Sequence, residues 1–229
     1  MSSIKLWYSP GACSLAPHIL LKEIGVDFEA IGVEVRQGAP EELRKVNPKM
    51  RVPVLVLDNE VITETPAIMT AISQLAPEKH LFGKTNMEVI HSYEWLNWLS
   101  GTVHVQAFGG LFRPARFSDD AGMYAAIQQK GWKTVQECFD AVEAGLHSAH
   151  AVGADLTVAD PYLYVFYRWG VSGGIDMPAR YPKYAALVAK LVKRSAVQAA
   201  LKDEGIESHA PEVSGVPVVR QHARPLTAD

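Results

Sequence analysis

The chain has 229 residues, with 22 Lys and Arg against 25 Asp and Glu and a formal net charge of −3, which leaves no basic footprint for nucleic acid or anionic lipid. No window approaches the roughly 18 uninterrupted apolar residues of a membrane span, and no basic segment with a long apolar run opens the chain, so a soluble cytoplasmic protein is expected. Cys13 and Cys138 are too few for a disulfide framework, and neither they nor the eight histidines show a metal-ligand spacing, so no metal is expected.

In chain order, "IKLWYS" alternates and is rich in β-formers, "LAPHILLKEIG" has helical spacing with Gly25 as a candidate C-cap, and "FEAIGVEV" is strand-like again. "PEELRKVN" reads as a short polar helix. "VPVLVLD", the turn "NE" and "VITE" read as a hairpin. "TPAIMTAISQLA" is then a helix in which Thr65 suits the N-cap and Pro66 the first helical position. The first 76 or so residues thus order as βαβ(α)ββα, a compact α/β unit.

After "PEKHLFGKTN" the strand signals stop. Val89, Tyr93, Leu96, Leu99 and Val103 share one face of a helix ending at His104, and Tyr124, Ile127, Val135, Cys138, Val142 and Leu146 share a face of the next. Further helices are expected in "TVADPYLYVFYRWG", in "YPKYAALVAKLVKR" and in "SAVQAALKDEG", which Ser195 can cap and Gly205 can stop. The expected organisation is an α/β domain over 1–80, an all-helical domain over 86–206, and an extended tail over 207–229 carrying Pro211, Pro217 and Pro225.

Cys13 falls between the turn "SPGA" and the helix that follows, where the partial positive charge of a helix N-terminus favours thiolate over thiol. A small buried hydrophobe is the competing role, and Cys138 reads as that. "CSLA" lacks the second cysteine of a C-x-x-C pair, which excludes a dithiol cycle. The exposed N–H groups at the start of "TPAI" can bind a carboxylate or serve as a plain helix start. "TVAD" is a capping box in which Asp160 reaches back to Thr157.

Taken together, "YSPGACSLAPHI", "VNPKMRVPVLVLD", "ITETPAIM", "EWLNWLSGTVH", "LFRP" and "LTVADPYLYV" resemble the glutathione transferases, and within them the bacterial-type beta class, to about residue 206. The resemblance implies an α/β thioredoxin-like domain followed by an all-α domain, with glutathione as co-substrate. It implies a cis bond at Pro53, with Val52 N–H and C=O pairing the cysteinyl backbone of glutathione. Glu64 would accept from the ligand's amino group, and Thr65 would bind its γ-glutamyl carboxylate. Cys13 would face the ligand's sulfur, with Ser14 and Tyr8 as reserve partners for it and His104 above it. Asn97 would reach into the partner's site of a homodimer. Phe108, Phe112 and Arg113, with Arg116 and Phe117, would form a loop lining the site of an apolar electrophile.

Two departures from the family pattern stand out. The His-Lys pair reads His104-Val105 here, and a basic position after the second strand falls near Gly38, so Arg36, Lys49 or Arg51 would have to supply the missing charge. The expected activity is attack of the glutathione thiol on an apolar electrophile, a detoxification reaction. The alternatives are a glutathione-dependent disulfide reductase using Cys13 and a non-catalytic ligand-binding protein on the same fold.

Overall fold

A computed structural model describes residues 3–35 and 38–211, so Arg36 and the chain beyond Pro211 lie outside it. Strand β1 (Ile4–Tyr8) buries Ile4, Leu6 and Tyr8 at period two. It pairs in parallel with β2 (Glu29–Gly32), which requires the crossover helix α1 (Leu15–Ile24), stopped by Gly25 at φ 75. After the short α2 (Glu41–Val46), the hairpin of β3 (Val54–Leu57) and β4 (Glu60–Thr63) completes a sheet of order β2-β1-β3-β4, with β3 antiparallel to β1.

Helix α3 (Thr65–Leu75) begins one residue earlier than expected. Glu64, not Thr65, is the N-cap, and Pro66 occupies the second helical position, where its missing N–H costs nothing. Glu64 takes φ 72 and ψ 123, a region that a side chain rarely adopts.

Helix α4 (Asn86–Trp98) starts in a capping box made by Thr85 and Glu88. It does not end at His104. The chain runs on through a π-wound segment, Leu99–Phe108, into α5 (Gly109–Phe112), and Gly109 N–H bonds to the His104 carbonyl five residues back. The expected loop after His104 is therefore helix as far as Phe112. The reason lies in α6 (Tyr124–Gly145): a Cβ on Gly131 would stand 2.6 Å from Leu111 N and 2.9 Å from the Gly110 carbonyl carbon, so the two backbones meet at bare glycines. Leu96, Leu99 and Val103 are buried as expected, whereas Tyr93 faces outward.

Helix α7 (Ala159–Ser172) is buried along most of its length. Its Asp160 accepts from Thr157 N–H at 2.6 Å and Ala151 N–H at 2.8 Å, fixing the approach to the helix. A short α8 (Met177–Arg180), which no sequence signal announced, precedes α9 (Pro182–Leu191) and α10 (Ser195–Glu204), the last ended by Gly205 at φ 64. The start of the tail is held on α7: Arg168 Nη2 donates to the Glu207 carbonyl at 2.8 Å and Tyr164 to that of Ser208. Among the described residues no helix is long and apolar enough to cross a membrane.

Candidate active site

The turn before α1 is fastened from the helical half. Gly11 N–H donates to Glu204 Oε2 at 2.8 Å, and the Gly11 carbonyl accepts from Trp169 Nε1 at 2.8 Å. Within the turn, Ser14 Oγ accepts from Ser9 N–H at 3.1 Å and donates to the Ser9 carbonyl at 3.2 Å. Both capacities of the Ser14 hydroxyl are thus committed to the turn. Tyr8 points to the opposite side, its hydroxyl donating to the Asp203 carbonyl at 3.2 Å and its ring 5.1 Å from that of His18. The structure brings neither reserve partner to the thiol.

Cys13 is only 6% exposed, and its Sγ lies 3.6 Å from the Val52 carbonyl, to which it donates. The Val52-Pro53 bond is cis, as the resemblance implied. The thiol does not have the low pKa expected of a helix start. Burial pushes it up to about 11, and the Thr65 hydroxyl, the nearby backbone N–H groups and Arg113 offset that only in part. Cys138 is likewise pushed to about 11 by burial, so ionisation does not set the two cysteines apart.

A polar chain missed by sequence reasoning leads away from Cys13. Thr65 is within hydrogen-bonding reach of both Cys13 and the hydroxyl of Tyr162, which also meets Ser100 and stands 3.5 Å from His104 Nδ1. Tyr162 is fully buried, and burial raises its pKa far above the ordinary tyrosine range. The signal available was a tyrosine in an apolar run, whose hydroxyl needs a partner once buried.

His104 packs against the rings of Trp169 at 5.3 Å and Phe166 at 6.0 Å. Its pKa is pushed down to about 4, first by burial and then by the charges of Arg113, Arg116 and Arg51. Val105 is exposed and Gly38, at φ 109, sits in a conformation that disfavours a side chain. Lys49 is engaged elsewhere, 2.6 Å from Glu64 Oε1 and 3.0 Å from Thr63 Oγ1.

The residues expected to take an electrophile do come together, on helix and turn instead of loop. Phe108 lies 5.4 Å from Phe112 and 5.1 Å from Trp169, with Phe112 to Trp169 at 5.9 Å. Arg113 caps α5, and Phe117 closes the next turn on the Pro114 carbonyl at 2.9 Å. Asn97 is exposed on the outer side of α4, away from this cluster. Among the described residues no group of three or more His, Cys, Asp or Glu could hold a metal ion.

Residues 2–74 match the family model described as "Glutathione S-transferase, N-terminal domain". The chain is 33% identical over 210 residues to glutathione S-transferase GstA of Escherichia coli O157:H7, covering 89% of this chain and 100% of that one. It is also similar to a sphingomonad glutathione S-transferase solved with glutathione (39% identity, TM-score 0.76, 89% and 100% of the two chains). A bacterial beta-class glutathione S-transferase from Sphingomonas chungbukensis matches at 34% identity and TM-score 0.76, again over 89% and 100%.

Proposed function

The chain belongs to the glutathione S-transferase family, and from that premise we propose that the attacking sulfur is glutathione's own while Cys13 remains a thiol that donates to it. The fold is a thioredoxin-like domain followed by an all-α domain, the protein is a glutathione transferase, and glutathione is its co-substrate. The boundaries we assign are 1–80, 86–206 and the tail beyond.

The observation that carries the reading is the buried Cys13 thiol donating to the Val52 carbonyl at the cis bond, where burial favours the protonated form. A glutathione laid along this loop offers its cysteinyl N–H to the same carbonyl, in the manner of a strand added to a sheet edge. Cys13 S–H is then released to donate to the incoming sulfur, and that donation, the Arg113 charge and the start of α1 all favour the thiolate of glutathione. His104 titrates near 4, too low to keep a proton taken from a thiol, so we assign it to orienting Tyr162 and the thiol proton to solvent.

The first turn of α3 has no side-chain cap, which leaves its N–H groups for the γ-glutamyl carboxylate, and Glu64 takes the amino group in exchange for Lys49. The rings of Phe108, Phe112 and Trp169 offer a wall for the electrophile. The same protonation weighs against a disulfide reductase built on Cys13, because only a thiolate attacks a disulfide.

Replacing Cys13 by Ala should lower conjugation by about tenfold to a hundredfold, the worth of one charge-assisted hydrogen bond, while abolishing any mixed disulfide with oxidised glutathione. Complete loss of conjugation would make Cys13 the nucleophile and overturn the reading.

We further propose a symmetric homodimer acting in cytosolic detoxification. Its support is an exposed apolar face: Met87 at 56% and Ile90 at 49% exposure, with Tyr93 and Asn97 on the same side of α4. Light scattering should give twice the chain mass at micromolar concentration. A fully active monomer would remove the claim.

A further inference from the structure

Three exposed arginines surround His104 closely enough for their charges to act on it. Arg113 ends α5, and Arg116 follows in the same turn, its N–H 3.0 Å from the Arg113 carbonyl. Arg51 stands on the loop just before Val52 and cis-Pro53, which reaches the Cys13 thiol. The charges of all three are felt at His104, and those of Arg113 and Arg51 at Arg116. Among the described residues none of the three has a carboxylate within ion-pair distance; the ion pairs of the protein fall on other cations. Like charges held together repel, and here no protein anion relieves them.

Beside this cluster the surface is aromatic. Phe112 and Phe117 are both exposed although each flanks an arginine, and Phe112 continues inward to Phe108 and Trp169. A flat ring lying on Phe112 and Phe117 sits beside the residues that precede or follow each of them, Arg113 and Arg116. A carboxylate on that edge meets planar N–H donors of matching geometry.

We propose that Arg113 and Arg116, with Arg51 beside them, form a carboxylate-binding subsite, and that the electrophile is an aromatic carboxylic acid. The inference rests on the reading that the Phe108, Phe112 and Trp169 wall takes the electrophile, and it replaces a merely apolar substrate with an anionic one. The glycyl carboxylate of glutathione presents the same chemistry. Arg51, on the cis-proline loop, is the one of the three placed for it, whereas Arg113 and Arg116 belong to the wall.

The probes are para-chloro-meta-nitrobenzoate and its methyl ester. In each, the glutathione sulfur forms the C–S bond, the C–Cl bond breaks, chloride leaves with the bonding pair, and the thiol proton passes to solvent. The wild type should prefer the acid over the ester in kcat/KM by about tenfold or more, the scale of a charge-assisted bond. The double variant Arg113→Ala, Arg116→Ala should bring that ratio to about one, and Arg116→Glu should turn it in favour of the ester. Both positions are exposed, and a thermal melt checks that the variants fold. With γ-glutamylcysteine in place of glutathione the acid preference should persist.

An ester consumed as fast as the acid overturns the proposal. So does a ratio that survives the double variant. If neither compound is conjugated although the variants and wild type bind glutathione in calorimetry, the wall reading itself fails, and the proposal with it.

Discussion

The side of the site that we assign to glutathione and the side that we assign to the electrophile satisfy their polar groups in opposite ways. Around Cys13 the polar side chains already have protein partners: the thiol has the Val52 carbonyl, Ser14 has Ser9, and Glu64 has Lys49. Across from it, Arg113 and Arg116 share one turn, neither with a carboxylate in ion-pair distance among the described residues, and Phe112 and Phe117 stand exposed. Binding on the first side exchanges one partner for another, which suits a single fixed co-substrate. On the second side it supplies what is missing, so substrate choice belongs there.

The comparison breaks most readily at Gly131. Its Cβ would meet backbone at 2.6, 2.9 and 3.0 Å, atoms that cannot swing aside, so Gly131→Ala forces α6 away from α5. An overpacking cost of about 3 kcal/mol is expected in denaturant unfolding. KM for the electrophile should suffer more than that for glutathione, because only the electrophile wall moves. Equal losses on both sides would mean that the walls are mechanically one.

Acid should act next. His104 has its folded pKa pushed from an ordinary 6.5 down to about 4, so the unfolded chain binds the extra proton first. Its neutral form is therefore stabilising above pH 6.5, and that contribution is lost as pH falls from 6.5 toward 4. Unfolding midpoints measured across this window should drop, and drop less in His104→Phe. An identical slope in that variant would place the acid sensitivity elsewhere.

Tyr162→Phe removes the hydroxyl between Thr65 and His104 and should cost about 1 kcal/mol of stability, with a change in the pH profile of conjugation. A silent variant would show that the two sides are not joined through Tyr162. The smallest effect belongs to Lys49→Ala. Its pair with Glu64 is more than half exposed at both ends, so stability should change by only about 0.5 kcal/mol, while glutathione gains an unobstructed Glu64. Calorimetry should give unchanged or tighter binding, and clear weakening would assign Lys49 to the ligand.

The same division explains what could be read from the chain. The glutathione side is partly local: Gly25 stops a helix within a short segment and the α/β order appeared as expected, whereas the cis bond at Pro53 followed from the resemblance and the N-cap of α3 fell on Glu64 instead of Thr65. The electrophile side is tertiary. The residues after His104 read as a loop, yet Gly110 permits the approach of Gly131, and the chain stays helical to Phe112. Arg51 lies far in sequence from Arg113 and Arg116, and only the folded chain lets all three charges act on His104. Cys13 shows the limit even on the local side, since the helix start was legible but the burial that outweighs it was not.

The central claim is that Cys13 rests as a thiol and leaves the attack to glutathione. Iodoacetamide alkylation of the ligand-free protein, followed at each cysteine by peptide mass spectrometry from pH 6 upward, tests it directly, because only thiolate reacts. The account predicts slow modification of Cys13 at neutral pH, rising with pH toward a midpoint of about 11, as at Cys138. A Cys13 rate that is already at its plateau near neutral pH would contradict it.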